Sequence, residues 1–304
     1  MTEQSLSRTY LRCAPLAVLL CATALPALAA TRSVDQHQSA DPAGTVEIVN
    51  VSGAVEVAGW DQAVVAVSGT IGEKVERVEV TGSGARVTVR VVLPKGSFHH
   101  DQGDAHLRVQ VPRRSALEVS LVSADLRVGG VSGDQHLQTV SGDISGEAGG
   151  NLQANTVSGD VHLEAHDATS IRIKTVSGDA TLSGGTGDIN VESVSGDAHL
   201  MLGVMRQAHF ESVSGDLNIV GALDAGGQLE ASTVSGDVNV SFSAAPDADI
   251  DVQSFSGDIS NCFGPKAVEQ QYGPGSRLSF RSGKGGGHVH IDTKSGDVGL
   301  CTKK

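Results

Sequence analysis

The chain has 304 residues, 38 of them glycine, only 3% aromatic side chains and a formal charge of −13. That balance excludes the basic footprint that nucleic-acid phosphates demand and speaks against adsorption to anionic lipid. With so few rings, Val, Leu, Ile and Ala must build the core, in thin layers rather than in the deep interior of a large enzyme.

Residues 1–29 read as a cleavable export signal: Arg8 and Arg12, then an apolar stretch, then the small-residue site Ala27-Leu28-Ala29. Removing them leaves 20 basic against 34 acidic residues, a balance of −14. No later stretch approaches the roughly 20 apolar residues that span a bilayer. The expectation is an exported protein, in the periplasm or at the cell surface, with no transmembrane segment after cleavage. Cys262 and Cys301 remain of the four cysteines. In an oxidising compartment their simplest state is one disulfide. Closing a loop of about 40 residues stabilises a fold by roughly 4 kcal/mol in the chain-entropy model.

Residues 30–43 read as a flexible lead, and 44–115 as an irregular N-terminal β region. "GTVEIVNVSGAVEVAGW" (44–60) and "AVVAVSGTI" (63–71) look like degenerate coils, with Trp60 packed over the first of them. "ARVTVRVVLP" (85–94) and "AHLRVQVP" (105–112) alternate cleanly and are predicted to pair as a hairpin. Such a paired sheet would cap an open edge that otherwise invites strand-to-strand aggregation.

From residue 116 to 304 one motif governs the chain. Ser-Gly-Asp starts at Ser132, Ser141, Ser158, Ser177, Ser195, Ser214, Ser235, Ser256 and Ser295. From Ser141 the steps are 17, 19, 18, 19, 21, 21 and 39, the last being two turns, with "GSRLSF" (275–280) in the gap and "SADLRV" (123–128) one turn upstream. Weaker half-units such as "TGDINV" lie between, so each period holds two short apolar-x-apolar strands. Strands this short bury a face only when stacked coil on coil. Alternation places Val157, Gly159, Val161 and Leu163 on one side of "TVSGDVHLEA" and Ser158, Asp160 and His162 on the other. Ile171 and Ile173 point inward in the next strand, with the corner between Thr175 and Val176. The prediction is an all-β parallel β-solenoid of 18–21-residue coils with a more irregular N-terminal sheet as cap. Ten rungs at about 4.8 Å give a rod of about 43 Å.

A signal peptide, the opening "VNVSGAVEVAGWD" and serial "TVSGD" coils resemble a bacterial β-strand-repeat family of unknown function that carries the label "putative adhesin". The resemblance covers roughly residues 44–300. It implies an exported, elongated, non-enzymatic envelope protein, and brings no catalytic motif with it.

The triplet itself places a serine beside a carboxylate, yet none of its nine copies is singled out, and no serine stands at a strand-to-helix elbow. Backbone geometry explains it better: glycine allows the bend, and Asp125, Asp143, Asp160, Asp179, Asp197, Asp216, Asp237, Asp258 and Asp297 bond turn amides. "GGTGDI" places Asp directly after Gly and so departs from the calcium-binding nonapeptide. Metal-ligand candidates are His288, His290 and Asp292 on one strand face, and His99, His100, Asp101, Asp104 and His106 in a polar loop. Exposed polar residues account for both more simply. "SGKGGGH" has no Ser or Thr after its Lys and no helix, which rejects a phosphate loop. No cofactor is implied. The reading is a monomeric adhesin or scaffold with an unknown envelope or surface partner. The alternative is an envelope ligand-binding protein holding cations, cationic peptides or glycans on its acidic face. Third comes a carbohydrate-active β-helix enzyme, which the scarcity of sugar-stacking rings disfavours.

Overall fold

A computed structural model describes residues 31–94, 103–166, 168–269 and 275–303. The predicted export signal and the residues His99, His100 and Asp101 lie outside them. Among the described residues every regular element is a strand, and the strands join into one mostly parallel sheet that winds as a solenoid. Each turn gives one strand to each of two faces. On the first, Ile171 lies between Leu152 and Ile189; on the second, Leu182 lies between Leu163 and Leu200. The spacing of the triplet is therefore the length of a coil.

The inward row is continuous. Leu137, Leu163, Ile173, Leu182 and Leu200 are all buried, and stacked at strand spacing they fill the rod with aliphatic side chains. Removing such apolar area from water contributes about 25 cal/mol per Å².

The corner falls later than alternation alone suggests. Thr156 and Thr175 point inward, whereas Val157 and Val176 are each 46% exposed. The chain turns at Ser-Gly, not at Thr-Val. Two of the inward hydroxyls bond a glycine carbonyl: Thr175 Oγ1 that of Gly178 across its own bend at 3.5 Å, and Ser254 Oγ that of Gly296 in the adjacent rung at 3.0 Å.

Each member of the triplet has a backbone task, clearest at Ser214-Gly215-Asp216. Gly215 has φ +135°, and a Cβ there would lie 2.2 Å from the carbonyl oxygen of Gly196. Its N–H donates to Ser235 O at 3.0 Å. The Asp216 N–H donates to Asp197 Oδ1 at 2.8 Å, so the side chain of one coil completes the main-chain ladder of the next.

Both ends depart from simple winding. Residues 30–43 are not a loose lead: strand Arg32–Trp60 begins there, and Arg32 to Ser39 pair antiparallel with Val64–Ile71. The strands Arg77–Val92 and Ala105–Pro112 do not form the predicted hairpin. Each runs parallel to strand Arg32–Trp60, on different faces, because alternation marks a strand without naming its neighbour. The antiparallel cover comes instead from Val64–Ile71, which pairs with both Arg32–Ser39 and Ala105–Gln110. Trp60 stands beside Pro112 and donates from Nε1 to Val64 O at 2.8 Å.

At the far end, Ser276–Ser282 runs antiparallel to Ala248–Ser254, so "GSRLSF" covers an edge and is not a rung of the column. Gly287–Ser295 lies between the strands ending at Ser235 and Ser254, out of chain order. Cys262 and Cys301 are bonded, with their Cα atoms 4.9 Å apart.

Candidate functional site

The chemistry-bearing side chains form files along the outside of the rod. The first is the aspartate file at the corner. Eight amide-to-carboxylate bonds of 2.7–3.1 Å connect Asp125, Asp143, Asp160, Asp179, Asp197, Asp216, Asp237, Asp297 and Asp258 in that spatial order. Asp104 also lies at this corner and accepts the Ser52 hydroxyl at 2.7 Å. "GDAHL" at 103–107 repeats "GDAHL" at 196–200 in sequence, but two residues out of step in register: Leu107 and not Ala105 stands in the column of Ala198.

The second file was missed by alternation and follows from the corrected corner. Val122, Val140, Val157, Val176, Val194, Val213, Val234 and Phe255 are each about half exposed. Val122 to Val234 precede the corner serine in successive coils and make an apolar track beside the carboxylates; Lys294 of strand Gly287–Ser295 takes the same place next and separates Phe255 from it.

The third file crosses the first face: Glu118, His136, Gln153, Arg172, Asn190, His209, Glu230, His290 and Asp251 are neighbours in register. His209 sits between two carboxylates, with Nδ1 3.3 Å from Glu230 Oε2 and Nε2 3.8 Å from Glu211 Oε2. Asn190, His209, Glu230 and His290 help line a shallow concavity of about 590 Å³. On its rim Arg206 holds Asp188 through two bonds of 2.7 and 2.9 Å, which keeps that carboxyl below its ordinary pKa.

His288, His290 and Asp292 do share one strand face. The two rings stack 6.4 Å apart, however, and Asp292 Oδ2 lies 3.4 Å from Lys294 Nζ. Among the described residues no three His, Cys, Asp or Glu side chains gather into a metal-holding group. His106 lies beside Thr70 and Ala54 on the second face.

The glycine-rich loop 282–287 does cradle an anion, but one supplied by the chain itself. Asp247 Oδ1 accepts the backbone N–H groups of Lys284, Gly285 and Gly286 at 2.5, 2.7 and 3.4 Å. Crowding raises the Asp247 carboxyl; these three amides and the Lys284 ammonium outweigh it and hold the pKa below the ordinary value.

Charge is distributed unevenly along the chain. Residues 128–260 hold 19 acidic and 3 basic side chains, a balance of −16, while 261–304 hold 3 acidic and 7 basic. The middle of the rod is thus the acidic surface, while toward the C-terminal end basic side chains balance the carboxylates, as in the Arg277–Asp251 and Arg281–Asp249 pairs.

The family model of Toastrack DUF4097 matches residues 54–300. The chain belongs to this family. In fold, this Toastrack chain is similar to a "putative lipid binding protein" from Parabacteroides distasonis at 15% identity and a TM-score of 0.52, over 90% of this chain and 96% of that one. A "putative adhesin" from Bacteroides fragilis aligns at 8% identity and a TM-score of 0.37, over 90% and 97% of the two chains. A "putative cell adhesion protein" from Clostridium sporogenes aligns at 8% identity and a TM-score of 0.23, over 90% and 100%. No curated protein matches the chain. The first likeness is one of fold, and a fold alone does not carry function. Among the described residues no helix is long and apolar enough to cross a membrane.

Proposed function

We propose that this protein is an exported, non-enzymatic binding rod of the cell envelope, an adhesin or scaffold that meets its partner along its acidic middle. The observation that carries the reading is the concentration of charge: a balance of −16 over residues 128–260, displayed on a stack of coils that repeats the same surface. Repetition favours many weak contacts over one deep site. The triplet serines share one backbone role, so none is set apart as a nucleophile.

The name of the Parabacteroides neighbour raises lipid as a ligand. Here the interior is filled by side chains such as Leu163, Leu182 and Leu200, so an acyl chain would have to lie outside, along the valine file. A second reading is favoured by the concavity on the first face. Asn190, His209, Glu230 and His290 offer donors and acceptors in a row, suited to cations, cationic peptides or glycans.

Binding to isolated envelopes at increasing salt tests the main reading. Glu192 and Glu211 are neighbours in register on the first face; retention that falls steeply with ionic strength, and that weakens further in a Glu192→Gln/Glu211→Gln double variant, is the expected result. Salt-independent retention, equal in both proteins, would remove the acidic middle from the explanation. Recovery of the mature chain from the cytoplasmic fraction would remove export.

A further inference from the structure

The repeat files cross the C-terminal region out of chain order. Asp237 Oδ1 accepts the amide of Asp297, and Asp297 Oδ1 accepts the amide of Asp258. A Cβ on Gly296 would strike Gly236 O, and one on Gly257 would strike Gly296 O, each at 2.1 Å. Strands Gly287–Ser295 and Val298–Thr302 therefore fill a slot. One wall is Leu217–Ser235 with Val238–Phe242; the other is Ala248–Ser254 with Ile259–Asn261. Both walls are parallel strands, so the insert is hydrogen-bonded on each side.

What the slot recognises is a strand pair carrying the repeat. Main-chain ladders supply attraction, while the glycine and aspartate files set the register. Val289, Ile291, Val298 and Leu300 are buried as the insert's contribution to the core. The insert is joined to strand Ser276–Ser282 through Gly283, Lys284, Gly285 and Gly286, with φ +66° at Gly283 and +77° at Gly285. Two fastenings hold it. Asp247 clasps the amides of this linker, and Gly287 N–H donates to Asp247 O at 2.8 Å. At the other end, the disulfide ties Cys301 of the insert to Cys262, which follows the outer wall strand Ile259–Asn261.

We propose that the slot is a docking site for a second copy of this chain: by opening at 283–286, the strand pair 287–302 of each copy enters the slot of the other. The occupant follows from the contacts. The sequence that satisfies both walls is present in every copy, so exchange keeps each ladder bond and each buried side chain and changes only the linker. Exchange of an identical element is a low-cost route to a dimer when a hinge can straighten. The short linker gives the chain's own strands a high effective concentration, which favours the closed monomer in dilute solution. The disulfide makes that preference absolute, since its partners sit on the insert and on the slot wall. The bonded chain stays monomeric, and the unbonded chain exchanges as its concentration rises.

Single-cysteine chains without residues 1–29, and so without Cys13 and Cys21, test this directly. Cys262→Ser and Cys301→Ser variants are unfolded together, refolded at high concentration and oxidised with diamide. Exchange brings Cys301 of one copy to Cys262 of the other, so covalent heterodimers exceed the twofold excess over either homodimer that random pairing yields. The unsubstituted chain, unfolded and refolded in dithiothreitol and then sized by light scattering, supplies a readout without substitutions. A concentration-dependent dimer that is absent from the oxidised chain is expected. Random disulfide ratios, together with a reduced chain that stays monomeric at every concentration, overturn the proposal.

Discussion

The middle of the rod and its two ends are built from the same strands, but they are wound differently. Between Ser141 and Ser235 the order of rungs is the order of the chain. At the N-terminal end, Thr45 to Val49 lie between Arg86–Arg90 and Ala116–Ser120, inside a coil that comes later in sequence. At the other end, Gly287–Ser295 lies inside a coil that comes earlier. Each end thus places its outlying segment one rung inward and, on one of its two faces, gives the exposed edge to an antiparallel strand, Val64–Ile71 at one end and Ser276–Ser282 at the other. The lesson is about edges. A parallel coil cannot close its own terminal ladder, and an antiparallel return can cover it.

The sharpest test of the contrast compares two equivalent glycines. Gly215 belongs to the middle and Gly296 to the insert; both have positive φ, and a Cβ on either would meet a carbonyl oxygen at 2.1–2.2 Å. Valine has nowhere to move at either place, because coils press on both sides; what differs is that the coil of Gly215 continues through the chain into coils on both sides, whereas Gly296 belongs to an insert at the chain's end. Gly215→Val is expected to destabilise the whole rod by about 3 kcal/mol or more, from backbone strain and steric overlap together. Gly296→Val is expected to loosen residues 287–302 while the middle survives, since coils communicate mainly with nearest neighbours. Hydrogen exchange resolved by segment reads both. Equal loss of protection across Ser141–Ser235 in the two variants would show that the insert and the middle are one cooperative unit.

The difference between the regions also sets what could be read from sequence. The triplet spacing revealed the coil, because the period of a solenoid is printed directly in the chain. The inward places of Val161, Leu163, Ile171 and Ile173 followed from alternation and stand. Alternation failed at the corner itself, where Thr175 and Val176 are both β-branched and the pattern does not tell which turns inward. It failed again at the ends. Identical triplets can stack in any order, so nothing local to Ser295 says that its neighbours are Ser235 and Ser256. The candidate surface was half legible. Its aspartates were visible as a list, whereas the half-exposed valines beside them needed the corner to be placed correctly. The cysteine pair, in contrast, needed only counting.

A smaller effect separates the two oxygen-bearing roles of the aspartate file. Asp197 Oδ1 accepts the amide of Asp216, while Asp197 N–H donates to Asp179 Oδ1. Asp197→Ala strands one amide and should lower stability by about 1 kcal/mol, a typical value for one hydrogen bond. Asp197→Asn keeps an acceptor oxygen and removes a charge from a crowded acidic row, so it should lie close to the parent or above it. Denaturant unfolding of the three proteins decides. If the two variants lose the same amount, charge and not the amide bond is what the file contributes.

The smallest expected effect is confined to the C-terminal end and appears only in acid. The Asp247 carboxyl is held below its ordinary value of 3.8, crowding being outweighed by the amides of Gly285, Gly286 and Lys284. Asp249 is held below it too, chiefly by the bidentate Arg281 bond at 2.6 and 3.0 Å. A folded-state pKa depressed in this way means that the contribution is complete above 3.8 and is lost as pH falls through the lower folded value. Protonated Asp247 cannot clasp three amides as a carboxylate does, so the linker 283–286 should open before the coils around Leu200 do. Amide exchange at Lys284, Gly285 and Gly286, corrected for the intrinsic acid rates, should show protection that drops in that window. In Asp247→Asn the acceptor no longer titrates, and protection should be weaker but flat with pH. A parent chain whose linker stays equally protected throughout would place the fastening in the disulfide alone.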